Sequence, residues 1–148
     1  MKTWFITGSS SGIGLGIAKA VLERGDNAVV MARNKEKFAD LVREYPGRVL
    51  AISLELTDEE SIQNAFCAAM ERFGAIDVLV NNAGHGYRAA VEEGEKEGIS
   101  EVYGANLFGA ISLIKKVLPQ MRERRRGAII NLSSIAGVCS SAGSGYYA

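Results

Sequence analysis

Thr7-Gly8-Ser9-Ser10-Ser11-Gly12-Ile13-Gly14 follows the apolar run Trp4-Phe5-Ile6 and leads into a stretch in which Ile13, Ile17 and Val21 recur every four residues. The order is strand, glycine turn, helix. Glycine is required where the backbone bends sharply and passes close to a ligand, because a Cβ would clash, and the unpaired amides at a helix start suit a phosphate. The stretch therefore reads as a site for the pyrophosphate of a nucleotide. Its spacing is TGxxxGxG, which departs from the GxGxxG fingerprint. The start of an ordinary helix rich in small residues looks similar, so the rest of the chain has to decide.

Working outward, Gly25 breaks the first helix, and Asn27-Ala28-Val29-Val30-Met31-Ala32 is a continuous apolar run of strand length, the mark of a strand buried on both faces. A second helix is expected from about Lys35 to Tyr45, stopped by Pro46-Gly47, and Val49 to Leu54 reads as a third strand. Thr57-Asp58-Glu59-Glu60 matches a capping box, with Thr57 as the cap of a helix running to Phe73 and stopped by Gly74. Ile76 to Val80 gives the fourth strand, His85 to Lys96 a loop, and Ala128 to Leu132 the fifth strand. Between them a long helix is expected from Gly98 to Arg125, weakened by Gly98, Gly104, Gly109 and Pro119, whose glycines suggest close packing against another helix. Strictly alternating strands and helices with right-handed crossovers make a parallel sheet covered on both faces, a doubly wound α/β fold. Ligands bind at the carboxyl ends of such strands, where every glycine, asparagine and serine cluster of this chain falls.

The 148 residues, 47% hydrophobic, correspond to one domain, residues 1–148. Acidic and basic residues are balanced at 17 each, which leaves no field for nucleic acid or an anionic membrane. The run Arg122-Glu123-Arg124-Arg125-Arg126 before Gly127 reads as a helix C-terminus, with Gly127 as its left-handed exit. Cys67 and Cys139 make no disulfide framework, Cys67 falls within an apolar helical pattern, and a reducing cytoplasm fits. The chain starts directly in a strand, so neither a signal peptide nor a membrane anchor is expected. One histidine, His85, without a cluster of acids or cysteines, gives no metal site; a turn residue is expected there.

Three clusters agree in order and spacing: the TGxxxGxG turn, Asn81-Asn82-Ala83-Gly84 after strand four, and Asn131-Leu132-Ser133-Ser134 after strand five. With a tyrosine near the C-terminus they resemble the short-chain dehydrogenase/reductase (SDR) family over the whole chain, with a Rossmann-like fold. The resemblance implies a nicotinamide cofactor and a catalytic set of asparagine, serine, tyrosine and lysine. The asparagine falls on Asn106, which in the family holds a water of a proton relay. The serine falls on Ser134, because the family interval of thirteen residues then reaches Tyr147; Ser133 and Tyr146 keep the same interval.

Carbonyl reduction by hydride needs a proton donor for the developing alkoxide and a dipole that polarises the carbonyl. Tyr147 is expected to give the proton and Ser134 to hold the substrate oxygen. In the reverse direction the tyrosine acts as a base, and a phenol ordinarily titrates near 10; bringing it to near 7 takes roughly 4 kcal/mol, which a neighbouring cation can supply. In the family that cation is a lysine four residues after the tyrosine, and this sequence ends at Ala148. A chain incomplete at its C-terminus, after the fifth strand, is the expectation, with weak or no activity by itself.

The resemblance further implies a cofactor site made by Gly8, Ser10, Ser11, Gly12, Ile13 and Gly14, by Asn82, Ala83 and Gly84 along the nicotinamide ribose, and by Glu55 and Leu56 near the adenine. Family members commonly carry an aspartate where Glu55 stands. After strand two an NAD site usually has an acid; this chain has Arg33-Asn34, and a guanidinium can pair with a 2′-phosphate, which favours NADP(H) over NAD(H). Cys139, five residues after Ser134, is a candidate to line the pocket. The expected function is hydride transfer between NADP(H) and a small carbonyl or alcohol, by a homodimer or homotetramer. The alternative is a non-catalytic dinucleotide-binding module, a sensor or scaffold without the lysine.

Overall fold

Neighbouring residues of the apolar runs part to opposite faces of a sheet. In β1 (Thr3–Thr7) Phe5 packs on one side and Ile6 on the other; Val29 and Val30 of β2 (Asn27–Ala32), and Leu79 and Val80 of β4 (Val78–Asn81), divide in the same way. In the computed structural model, which describes residues 1–148, β3 (Val49–Ser53) and β5 (Ala128–Asn131) complete an all-parallel sheet of order β3-β2-β1-β4-β5. Helices α1 (Gly12–Glu23) and α2 (Ala39–Glu44) cover the face of Ile6, Val30 and Val80 with Ala18, Val21, Leu22 and Leu41. Helices α3 (Glu59–Phe73) and α5 (Gly109–Glu123) cover the face of Phe5, Val29 and Leu79 with Ile62, Ala65, Ala69, Leu113, Val117 and Met121. This is the expected doubly wound, Rossmann-like sheet. Its strand order reverses between β1 and β4, which opens a crevice at their carboxyl ends.

Several local expectations are corrected. Ile13 is 67% exposed, and Gly14, Ala18, Val21 and Leu22 form the buried face of α1. The capping box at Thr57 does not form: α3 begins one residue later, Asp58 caps it by accepting from the Glu60 amide at 2.9 Å, and the Thr57 hydroxyl donates to Glu55. The segment expected as one helix from Lys35 splits into a 3-10 turn, Lys35–Phe38, and α2. The loop after β4 contains a 3-10 turn, Val91–Glu93. Cys67 is exposed rather than part of an apolar face.

The long helix starts at Lys96 and is interrupted: α4 (Lys96–Tyr103) passes through a π-helical turn, Gly104–Phe108, into α5. Its glycines are seats for loops rather than for another helix. A Cβ on Gly104 would lie 2.7 Å from Thr57 Cγ2, one on Gly109 2.7 Å from the Leu56 carbonyl oxygen, and one on Gly98 would overlap the Tyr87 ring. The left-handed exit falls on Arg125 (φ 50°), and Gly127 is instead pressed against the Met121 side chain. Asp77 pairs with Arg124 at 2.5 Å and with Arg126 at 3.7 Å, so the arginine run ties the end of α5 to the start of β4.

Candidate active site

The glycine turn is fastened to the strands on either side by two hydroxyls. Thr7 Oγ1 accepts from the amides of Asn82 and Ala83, both at 3.0 Å, and Ser9 Oγ accepts from the Met31 amide at 2.8 Å. Asn82 Nδ2 donates back to the carbonyls of Thr7 and Gly8 at 2.9 and 3.0 Å. Sequence reasoning passed over Thr7 and Ser9. The signal was their place beside a strand buried on both faces, where a hydroxyl has only main-chain groups to bond. Gly8 (φ +62°) has Ala83 Cα 2.8 Å from where a Cβ would stand, and a Cβ on Gly14 would lie 2.6 Å from the Gly8 carbonyl oxygen and overlap the Asn82 side chain. Gly12 (φ +54°) has open space around it and is required for its backbone alone.

A cleft of about 1270 Å³ opens over the carboxyl ends of the strands. Of the residues expected to bind the dinucleotide, Gly8, Ser10, Ser11, Ile13, Arg33, Asn34, Glu55, Leu56, Asn82, Ala83 and Gly84 line it; Gly12 and Gly14 do not, and act through backbone shape and close packing. Lys37, Thr57, His85, Tyr87 and Glu101 also line it, and sequence reasoning had given none of them a place there.

The amides of Gly12, Ile13 and Gly14 have no partner within the chain; the first amide of α1 to find one is that of Leu15, on the Ser11 carbonyl at 3.2 Å, and no side chain caps the helix. Together with the space a Cβ at Gly8 would fill, this fits a bound pyrophosphate. Beyond β2, Arg33 and Lys37 are exposed cations in no ion pair. Asn34 Oδ1 is spent on the Glu36 amide at 2.9 Å, and Glu55 Oε1 accepts from Thr57 N and Oγ1 at 3.1 and 2.9 Å.

None of Asn106, Ser134 and Tyr147 lines the cleft. Asn106 sits in the π-turn just behind its wall. Its Oδ1 accepts from the His85 amide at 3.0 Å and its Nδ2 donates to the His85 carbonyl at 2.8 Å, so its side chain has both halves in use. Ser134 is exposed and caps the 3-10 turn Ile135–Gly137, accepting from the Ala136 amide at 3.2 Å. The two tyrosines differ. Tyr146 donates its hydroxyl to the Val91 carbonyl at 2.5 Å, whereas the Tyr147 hydroxyl makes no hydrogen bond within the chain. Of the two registers, Ser134 with Tyr147 is thus the one that leaves a phenol free. Cys139 is exposed and away from the cleft. No helix is long and apolar enough to cross a membrane.

The family described as short chain dehydrogenase matches residues 2–148. Oxidoreductase BOA17 of Botryotinia fuckeliana is 40% identical over 147 residues, which is 99% of this chain and 54% of that protein. A probable NADP-dependent dehydrogenase of Haemophilus influenzae is 34% identical over 98% of this chain and 58% of its own length. The crystal structure of a short-chain dehydrogenase from Streptomyces avermitilis superposes with a TM-score of 0.95 at 42% identity, covering 99% of this chain and 54% of that one. The chain spans about half the length of these relatives. On sequence and fold together, it belongs to the short-chain dehydrogenase/reductase family of oxidoreductases.

Proposed function

We propose that the chain is the NADP(H)-binding part of an oxidoreductase that interconverts a small carbonyl compound and its alcohol. The observation that carries this reading is the switch-point cleft, with free amides at the start of α1 and two uncommitted cations, Arg33 and Lys37, beyond β2. The open start of α1, where Ile13 lines the cleft, holds the pyrophosphate, and Arg33 holds the 2′-phosphate through paired charge-assisted hydrogen bonds. The cofactor, when bound, supplies or takes up the hydride. Tyr147 gives its phenolic proton to the developing alkoxide, and Ser134 holds the substrate oxygen by its hydroxyl. Asn106 fixes the main chain of His85 and keeps that wall of the cleft in place. The exposed apolar residues Tyr103, Leu107, Phe108 and Ile111, which run from α4 through the π-turn into α5, suit association of two or four copies. The exposed, unpaired Cys67 and Cys139 suit a reducing cytoplasm.

A second reading, a dinucleotide-binding module without proton chemistry, draws on one observation: Ser134 and Tyr147 stand outside the cleft lining. Fluorescence titration with NADPH, and its consumption with a panel of ketones by a full-length protein that contains this chain, separate the two. The oxidoreductase reading expects Tyr147→Phe to bind NADPH as the parent does and to lose turnover by about two orders of magnitude or more. Undiminished turnover in the Tyr147→Phe variant refutes the role of Tyr147, and NADPH binding without turnover in a full-length protein that contains this chain favours the module.

A further inference from the structure

Outside the dinucleotide residues, a closely fitted contact joins the last eight residues to the loop after β4. Tyr146 donates to the Val91 carbonyl at 2.5 Å, and its ring meets Tyr87 edge to face, centroids 5.8 Å apart. Tyr87 in turn accepts from the Glu95 amide at 2.8 Å. Each ring lies where only glycine leaves room: a Cβ on Gly94 would stand 2.8 Å from the Tyr146 hydroxyl, and one on Gly98 would stand 3.0 Å from Tyr87 Cζ. A main-chain bond from the Ala89 amide to Gly143 (3.0 Å) closes the other end. Behind the clasp, the buried Ser144 hydroxyl bonds Ser141, and the Ser144 carbonyl takes the amides of Tyr147 and Ala148 at 2.9 and 2.8 Å. Tyr87 and Gly98 are also part of the cleft wall.

We infer that Tyr146 is a positioning residue, which clasps the segment bearing Tyr147 to the cleft wall through Tyr87, so that a ligand in the cleft tightens the seat of Tyr147. The inference rests on the proposed dinucleotide cleft but assigns Tyr146 no part in proton transfer. Tyr146→Phe keeps the ring contact and removes the Val91 bond. Gly94→Ala displaces the ring without backbone strain, since Gly94 has φ −66° and ψ 123°.

Hydrogen exchange of individual amides, with and without NADPH, tests it. Without NADPH, both variants should exchange the Tyr147 and Ala148 amides roughly fivefold faster than the parent, as loss of one ordinary hydrogen bond implies. With NADPH, the parent should gain protection at these amides and the variants should not. Unchanged exchange in both variants overturns the clasp. Protection by NADPH at Gly12 and Ile13 that stops short of Tyr147 in the parent overturns the coupling while the cofactor reading stands. No protection at Gly12 or Ile13 overturns the cofactor reading instead, and the NADPH-free comparison still decides the clasp. Tyr147→Phe, which leaves the clasp intact, should exchange like the parent.

Discussion

Gly14 and Gly16 are two residues apart on α1, and alanine should act oppositely at the two. At Gly14 a Cβ would stand 2.6 Å from the Gly8 carbonyl oxygen and 2.9 Å from Ser9 Cα, both main-chain atoms, and would overlap the Asn82 amide group. Overpacking of this kind costs about 1–3 kcal/mol. Displacing Asn82 also removes its two bonds, to Thr7 and Gly8, worth about 0.5–1.5 kcal/mol each. Gly14→Ala should therefore lose roughly 3 kcal/mol, or roughly 10 °C in Tm for a chain of this size. At Gly16 nothing lies within 4 Å of the new methyl and the backbone is regular helix, so Gly16→Ala should gain about 0.5–1 kcal/mol from helix propensity. Urea unfolding of the parent and both variants measures the two differences. A Gly14→Ala protein within about 1 kcal/mol of the parent, or a Gly16→Ala protein destabilised alongside it, would refute the assignment of Gly14 to close packing.

Arg33→Asp should weaken NADPH by about ten- to a hundredfold, as removal of charge-assisted hydrogen bonds implies, while sparing NADH; isothermal titration with both nucleotides checks this. Burial alone would raise the Asp77 carboxyl, but the Thr3 amide bond and the guanidinium groups of Arg124 and Arg126 outweigh it and hold it below the ordinary range. Because the folded protein binds this proton less readily than the unfolded one, the stabilisation is complete above the ordinary carboxylate range and fades as pH falls through the lowered folded value. Asp77→Asn should thus cost about 1–2 kcal/mol near neutrality, and the deficit should shrink in acid unfolding curves below about pH 4. Phe108→Asp, on the exposed face, should shift sedimentation toward the monomer without changing the NADPH affinity.

The fold was legible because its information is local and repeated. Apolar runs such as Ala28 to Met31, bounded by turn residues, read as strands buried on both faces, and their alternation with helices calls for a parallel sheet covered on both sides, while the strand order came only with the structure. The cleft at the carboxyl ends of β1 and β4 was legible because glycines cluster where the chain turns out of those strands, Gly8 among them with a positive φ. Contacts between distant segments were not legible. Nothing in the chemistry of Thr57 says that it would turn its hydroxyl to Glu55 and its methyl to Gly104, leaving Asp58 as the cap. Nor does a helical pattern show that the exit from α5 would fall on Arg125, where pairing of Arg124 with Asp77 fixes the end of the helix. Ser134 and Tyr147 were expected from the family's spacing, which specifies an interval along the chain and not a position in space, and neither lines the cleft.

The π-turn at Gly104–Phe108 behaves as a phase shifter. Each residue of a regular helix advances the side chains by about 100°, so one surplus residue rotates everything after it by that amount relative to everything before. Here the offset directs Leu113 and Val117 onto the sheet while Asn106 reaches His85. Winding the turn as regular α-helix with every residue kept would give better local geometry, but it would turn Leu113 about 100° away from the sheet and bring Ser112 toward it. The irregularity is the means by which one rod meets two neighbours whose angular demands do not agree.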